Sequence, residues 1–291
     1  MNWSRASRAL KGAAGSLLSS GRLVVFNFHQ VSENFDPQLH SQGTWTSLCD
    51  FELFLKEVQN RYEIIPLHQG VKVLSQNLLN ENCAAITFDD GDQSMREVIS
   101  VLTKLNAPAT FFLNSEDEEA RARDWTRLML KVPEVERGEF FGVLRNTTSP
   151  EEYNRCLESL MARLSNQAVH ETLELDFFAG LDGELFQVGS HGHTHNRQSM
   201  LLGKSKRENL TQNVAWLREN APNFVPLFAA PFGRELDVDS ETRRICEEAE
   251  MTLLMADGGV NTNGSFRKSA VIRRVPSDSR SLQSLQQRLF Y

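Results

Sequence analysis

The sequence predicts an α/β fold, an irregular (β/α) barrel carrying a helical insertion, and three observations predict it. Short β-rich apolar runs alternate with amphipathic helical stretches along most of the chain. The count of such runs suits a barrel. Acidic and histidine clusters come directly after apolar runs, and ligand-binding residues sit at strand ends in parallel α/β folds.

In chain order, strands are expected over residues 23–28, 62–66, 84–88, 109–113, 185–189, 225–229, 252–256 and 270–275. Helices are expected between them, for example over 47–62, 93–105, 204–220 and 239–249. The alternation breaks between 115 and 183, where helix-like sequence continues without a convincing strand. This stretch holds Asp124-Trp125, a helix start at Ser149-Pro150-Glu151-Glu152, and an apolar stripe at Leu157, Leu160, Met161 and Leu164. It is longer than a simple crossover needs. The expected organisation is an N-terminal helical segment over 1–21 and one domain over 22–291 interrupted by the insertion.

The 291 residues are 40% apolar, enough for a sizeable core. The net charge is −7, which disfavours non-specific nucleic-acid binding. Cys49, Cys83, Cys156 and Cys246 are far apart in sequence and form no Cys-x-x-Cys pair. Free thiols are expected rather than a structural zinc site. No apolar run is long enough for a transmembrane span. Near the start, Trp3, Leu10, Leu17 and Leu18 lie among Arg5, Arg8 and Lys11. They read as a helix packed on the domain or, more sharply, as a weak membrane-surface contact through residues 3–18. The start lacks a clean signal-peptide pattern, so a cytoplasmic location is expected, at most peripheral to the inner membrane.

Two clusters carry chemistry. The run Ala84-Ala85-Ile86-Thr87-Phe88-Asp89-Asp90-Gly91-Asp92 ends an apolar strand in adjacent carboxylates. Adjacent acids repel unless a cation or shared proton compensates. The run Gly189-Ser190-His191-Gly192-His193-Thr194-His195 places three of the seven histidines within five positions. Imidazole is a common ligand of zinc-like metals. A pair at i, i+4 meets on a helical turn and a pair at i, i+2 on a strand, so spacing leaves the pairing open. Together the clusters suggest a His, His, Asp site with open positions, the pattern of a catalytic metal. A neighbouring carboxylate then suits a general base. Two weaker signals are Pro231-Phe232-Gly233, a turn able to aim a backbone N–H at an oxyanion, and His29 at the end of the first strand.

These residues resemble the NodB-type polysaccharide deacetylases, carbohydrate esterase family four, from about residue 23 to 275 outside the insertion. Thr87-Phe88-Asp89-Asp90-Gly91 matches that family's first motif, His191-Gly192-His193-Thr194-His195 its second, and Pro231-Phe232-Gly233 the end of its third. The resemblance implies the polysaccharide deacetylase type of barrel. It implies Asp89 as catalytic base and Asp90, His191 and His195 as metal ligands, leaving His193 out. It also implies that Phe232 lends its backbone N–H to the oxyanion. Phe28-His29-Gln30-Val31 looks like the opening of a subgroup that deacetylates exopolysaccharides and poly-N-acetylglucosamine, with its elements circularly rearranged. His29 is then the expected general acid. The family's arginine partner to the base is replaced by Ala229, and Arg274 is the candidate substitute. The family's Trp-containing motif is not evident.

The implied cofactor is a divalent metal, zinc first, with cobalt and nickel suited to the same donors. The implied partner is an N-acetylated sugar polymer or oligosaccharide. Two other readings stand beside it. One is hydrolysis of another C–N bond, a cyclic imide or a formamide on a lipid-linked sugar. The other is a carbohydrate-binding relative that no longer turns over.

Overall fold

The computed structural model describes residues 21–36, 43–115, 128–129, 131–164 and 172–277. The segment 1–20, including the expected contact through residues 3–18, and Asp124-Trp125 lie outside the described residues.

Seven parallel strands close into a barrel: β1 (Leu23–Phe28), β5 (Cys83–Asp89), β6 (Ala109–Leu113), β7 (Phe186–Ser190), β8 (Phe224–Ala229), β9 (Thr252–Met255) and β10 (Val271–Pro276). The closing pair is β1 with β5, with Leu23 opposite Cys83 and Phe28 opposite Phe88. Two very short strands, β2 (Gln30–Ser32) and β3 (Trp45–Ser47), pair apart from the barrel. A third, β4 (Glu63–Ile64), adds to the lower edge of β5, beside Cys83 and Ala84.

Strand β1 reads LVVFNF and is buried throughout, as expected for a parallel strand covered on both faces. Side chains alternate along each strand. Leu23 and Val25 of β1, Ala85 of β5, Phe112 of β6, Ala229 of β8, Leu254 of β9 and Ile272 of β10 pack together in one core cluster. Val24, Phe26, Phe28, Ala84, Ile86 and Phe88 pack in another with the covering helices. Two residues beyond Val25, Thr87 and Ile272 in the strand direction come Asn27, Asp89 and Arg274. The same alternation therefore stacks a polar group on the apolar filling at the C-terminal end.

The covering helices follow sequence signals. Helix α1 (Leu48–Arg61) starts where the Ser47 side chain accepts the Asp50 N–H. Its buried Phe51, Phe54, Leu55 and Val58 repeat at helical spacing. Phe54 meets Phe26 edge-on with ring centres 4.9 Å apart, and Phe51 meets Phe28 at 5.0 Å. Next come α2 (Leu67–Ser75) and α3 (Met95–Lys104). Pro66, read as the end of a strand over 62–66, caps α2 instead, which leaves β4 only two residues long.

Between β6 and β7 the described residues form α4 (Glu134–Asn146), α5 (Pro150–Leu164) and α6 (Leu175–Ala179). Helices α4 and α5 have their own apolar core, built on Leu144, Tyr153, Leu157, Leu160 and Leu164. The barrel continues with α7 (Gly203–Asn220), α8 (Ser240–Glu248) and α9 (Asn263–Ser269). Among the described residues no helix is long and apolar enough to cross a membrane.

Candidate metal centre

Asp89 is the last residue of β5, and Asp90 follows it with a positive φ of 76°. This left-handed step turns the chain sharply, so the two neighbouring carboxylates serve different surroundings. The Asp90 N–H still bonds the Phe112 carbonyl of β6 at 3.1 Å.

Asp90 points at two imidazoles. Its Oδ1 lies 3.2 Å from His191 Nε2 and 3.2 Å from His195 Nε2. The three donor atoms all lie within 4.8 Å of one another. Both histidines are buried, and Asp90 keeps about a fifth of its side chain exposed, 21%. His191 Nδ1 is 2.8 Å from the Ala229 carbonyl oxygen. A carbonyl only accepts, so Nδ1 carries the proton and Nε2 keeps its lone pair toward Asp90.

Burial alone would raise the Asp90 pKa. His195 and His191 outweigh it and hold the carboxyl well below the ordinary range. That lowering needs protonated histidines; in the neutral form that the Ala229 carbonyl favours for His191, its Nε2 lone pair faces the Asp90 carboxylate at 3.2 Å. That convergence of acceptors fits a cation. Tetrahedral ligands at about 2.1 Å from a zinc-like ion stand about 3.4 Å apart, close to the two 3.2 Å separations from Asp90.

The two histidines come from a loop, not a helical turn. Strand β7 ends at Ser190, and the His191 N–H bonds Leu113 O at 2.9 Å. Gly192 then takes a φ of +88°, and a Cβ there would fall 2.7 Å from Asn209 Nδ2. This turn brings His195 back beside His191, with ring centres 5.0 Å apart. His193 lies outside the donor cluster and is partly exposed. Spacing had left the pairing open; the reversal at Gly192 brings the i, i+4 pair together.

Asp89 belongs to a different group, buried with only 3% of its surface exposed. Arg274 reaches it from β10 with two hydrogen bonds, Nη1 to Oδ1 at 2.7 Å and Nη2 to Oδ2 at 2.9 Å. The guanidinium is fully buried and lies over the Phe112 ring at 5.3 Å. Ala229, where the resemblance implies a missing arginine, brings no charge, and the positive partner of Asp89 arrives from β10. Burial would raise the Asp89 pKa, but the charges of Arg274, His191 and His29 lower it below the ordinary value. His29 Nε2 stands 3.9 Å from Asp89 Oδ2, beyond hydrogen-bond length, with 27% of its side chain exposed.

Asn27 completes this group and was not singled out from the sequence. Its Nδ2 donates to Asp89 Oδ2 at 3.1 Å, and its Oδ1 accepts from Arg274 Nη1 at 2.8 Å. One signal was present: an asparagine inside the otherwise apolar run of β1 must find partners when buried.

Phe232 takes a left-handed φ of 63° in the turn after β8. Its ring lies 5.0 Å from the His195 ring. Gly233 follows at φ +61°, and a Cβ there would fall 2.5 Å from the Ala256 nitrogen. The structure thus gathers Asp89, Asp90, His191, His195, Phe232, Arg274 and His29 at the C-terminal ends of the strands.

A family model described as polysaccharide deacetylase matches residues 77–159, which include both aspartates. No curated protein matches the sequence. Among solved structures the fold is similar to that of the Streptococcus pyogenes deacetylase PplD in complex with acetate, with a TM-score of 0.61 and 13% identity over 89% of this chain and 93% of that one. It is also similar to IcaB from Ammonifex degensii, with a TM-score of 0.57 and 18% identity over 92% and 97% of the two chains. A de-N-acetylase from Aggregatibacter actinomycetemcomitans gives 0.56 and 14% identity over 90% and 99%. At these identities the likeness is one of fold.

Proposed function

We propose that the chain is a member of the polysaccharide deacetylase family, whose model matches residues 77–159, and that it is a metal-dependent hydrolase removing N-acetyl groups from an amino-sugar polysaccharide. The observation that carries this reading is the separation of two adjacent aspartates into two settings. Asp90 joins two imidazoles, and Asp89 joins a guanidinium.

Asp90, His191 and His195 would hold the ion, zinc first, with cobalt or nickel suited to the same donors. When bound, such an ion supplies Lewis-acid polarisation of the acetyl carbonyl and lowers the pKa of a neighbouring water. Asp89 accepts the proton of the attacking water at its carboxylate. Arg274 and Asn27 keep that carboxylate ionised and fixed in direction. In the role the resemblance implies, the backbone N–H of Phe232 would donate to the oxyanion of the tetrahedral intermediate. His29, partly exposed beside Asp89, gives a proton to the departing amine. The C–N bond breaks, and acetate and a free amino sugar leave.

The opening Phe28-His29-Gln30-Val31 and the fold likeness to IcaB support an exopolysaccharide of the poly-N-acetylglucosamine kind as the substrate class. The test is acetate release from N-acetylglucosamine oligomers by protein loaded with zinc, cobalt or nickel. Acetate without formate, dependent on added metal, is the expected result. Formate from an N-formyl sugar with no acetate from any N-acetyl sugar would overturn the reading.

A further inference from the structure

The helices between β6 and β7 bond the histidine loop at residues just beyond His195. Tyr153 of α5 is fully buried, and its hydroxyl donates to Asn196 Oδ1 at 2.8 Å. Asn196 is itself buried and adjoins His195. Its Nδ2 donates to Thr194 Oγ1 at 2.8 Å, and its backbone N–H bonds Thr194 O at 2.8 Å. Thr194 in turn donates from N and from Oγ1 to Asn209 Oδ1 of α7, at 2.7 and 2.8 Å. The residues on both sides of His195 are therefore tied by side-chain hydrogen bonds, to α5 at one end and to α7 at the other.

A second attachment lies beside the first. The ring of Phe232, 5.0 Å from that of His195, packs against the apolar core of α4 and α5. Arg197, fully buried two residues beyond His195, pairs with Asp237 at 2.7 Å. It also donates to the carbonyls of Leu144 and Thr147 at 3.3 and 2.8 Å. A mobile cover would not be fixed by buried bonds to the very loop it covers.

The geometry points to Tyr153 as a positioning residue that sets His195 through Asn196, making these helices a fixed wall of the metal centre. This rests on the metal reading above. Orienting groups beyond the ligands commonly change metal affinity about 10- to 100-fold when removed. The probe is cobalt(II) added to the metal-free 291-residue chain, read by its visible absorption and by competition with a chelator. Tyr153→Phe keeps the ring in the core and removes only the donor. It is expected to bind cobalt about tenfold more weakly, with an altered absorption spectrum. Leu157→Ala, in the same apolar core, is expected to lower the unfolding temperature while cobalt affinity and spectrum stay those of the wild type. Wild-type affinity and spectrum in Tyr153→Phe would overturn the proposal. So would equal weakening in both variants, which is the mark of a merely structural role. If the wild type itself takes up no cobalt, the metal reading falls and this proposal with it.

Discussion

Asp89→Asn is expected to lower kcat/KM for acetate release by roughly 10²–10⁴-fold, the usual contribution of a positioned general base. Bound metal should stay at the wild-type level. The reason is geometric: Asp89 lies in the Arg274 and Asn27 group and contributes no atom to the cluster of Asp90, His191 and His195. The substitution also leaves the fully buried Arg274 without a counter-charge, which costs about 3–5 kcal/mol of stability. Activity and metal content are therefore compared well below the variant's unfolding temperature. Activity close to that of the wild type would place the base elsewhere.

Arg274→Met is expected to destabilise the fold by about 3–5 kcal/mol near neutral pH, because it leaves a buried carboxylate without its counter-charge. The sign of its pH dependence follows from Asp89. In the wild type the folded pKa is depressed, so the pair stabilises the fold above the unfolded carboxylate pKa, about 3.9. That contribution is lost as pH falls through the lower folded value. Removing Arg274 leaves the burial effect less opposed, and the Asp89 pKa rises. Mild acid then protonates the stranded carboxylate, and the stability gap between variant and wild type narrows. Urea unfolding at neutral and mildly acid pH checks this. The acid limb of the kcat/KM profile should move to higher pH in the same variant. A gap that widens on acidification would contradict the account.

The barrel was legible because its strands are buried on both faces and read as short runs of Val, Ile, Leu and Phe. The expected strands 23–28 and 109–113 coincide with β1 and β6, and the others among the barrel strands differ at their ends by a residue or so. The strands β2 and β3, three residues each, carry too few positions for a period to show. Helix α2 starts at Pro66 without a side-chain cap, which hides its beginning. At the site, the residue types marked Asp89, Asp90 and the histidine triplet, and the family resemblance chose among them. Arg274 was legible as a substitute only because Ala229 left a partner missing. The bonds from Tyr153 to Asn196 and from Thr194 to Asn209 were not legible. They join residues 43 and 15 positions apart through a tertiary approach that no local pattern encodes.

The central claim is that Asp90, His191 and His195 hold one divalent ion. The most direct test is elemental analysis of the protein after zinc loading and exhaustive dialysis. The wild type and His193→Ala should retain about one equivalent, and Asp90→Ala and His191→Ala almost none, because a three-ligand site loses most of its affinity with any ligand. Metal content unchanged in Asp90→Ala and His191→Ala would contradict the site.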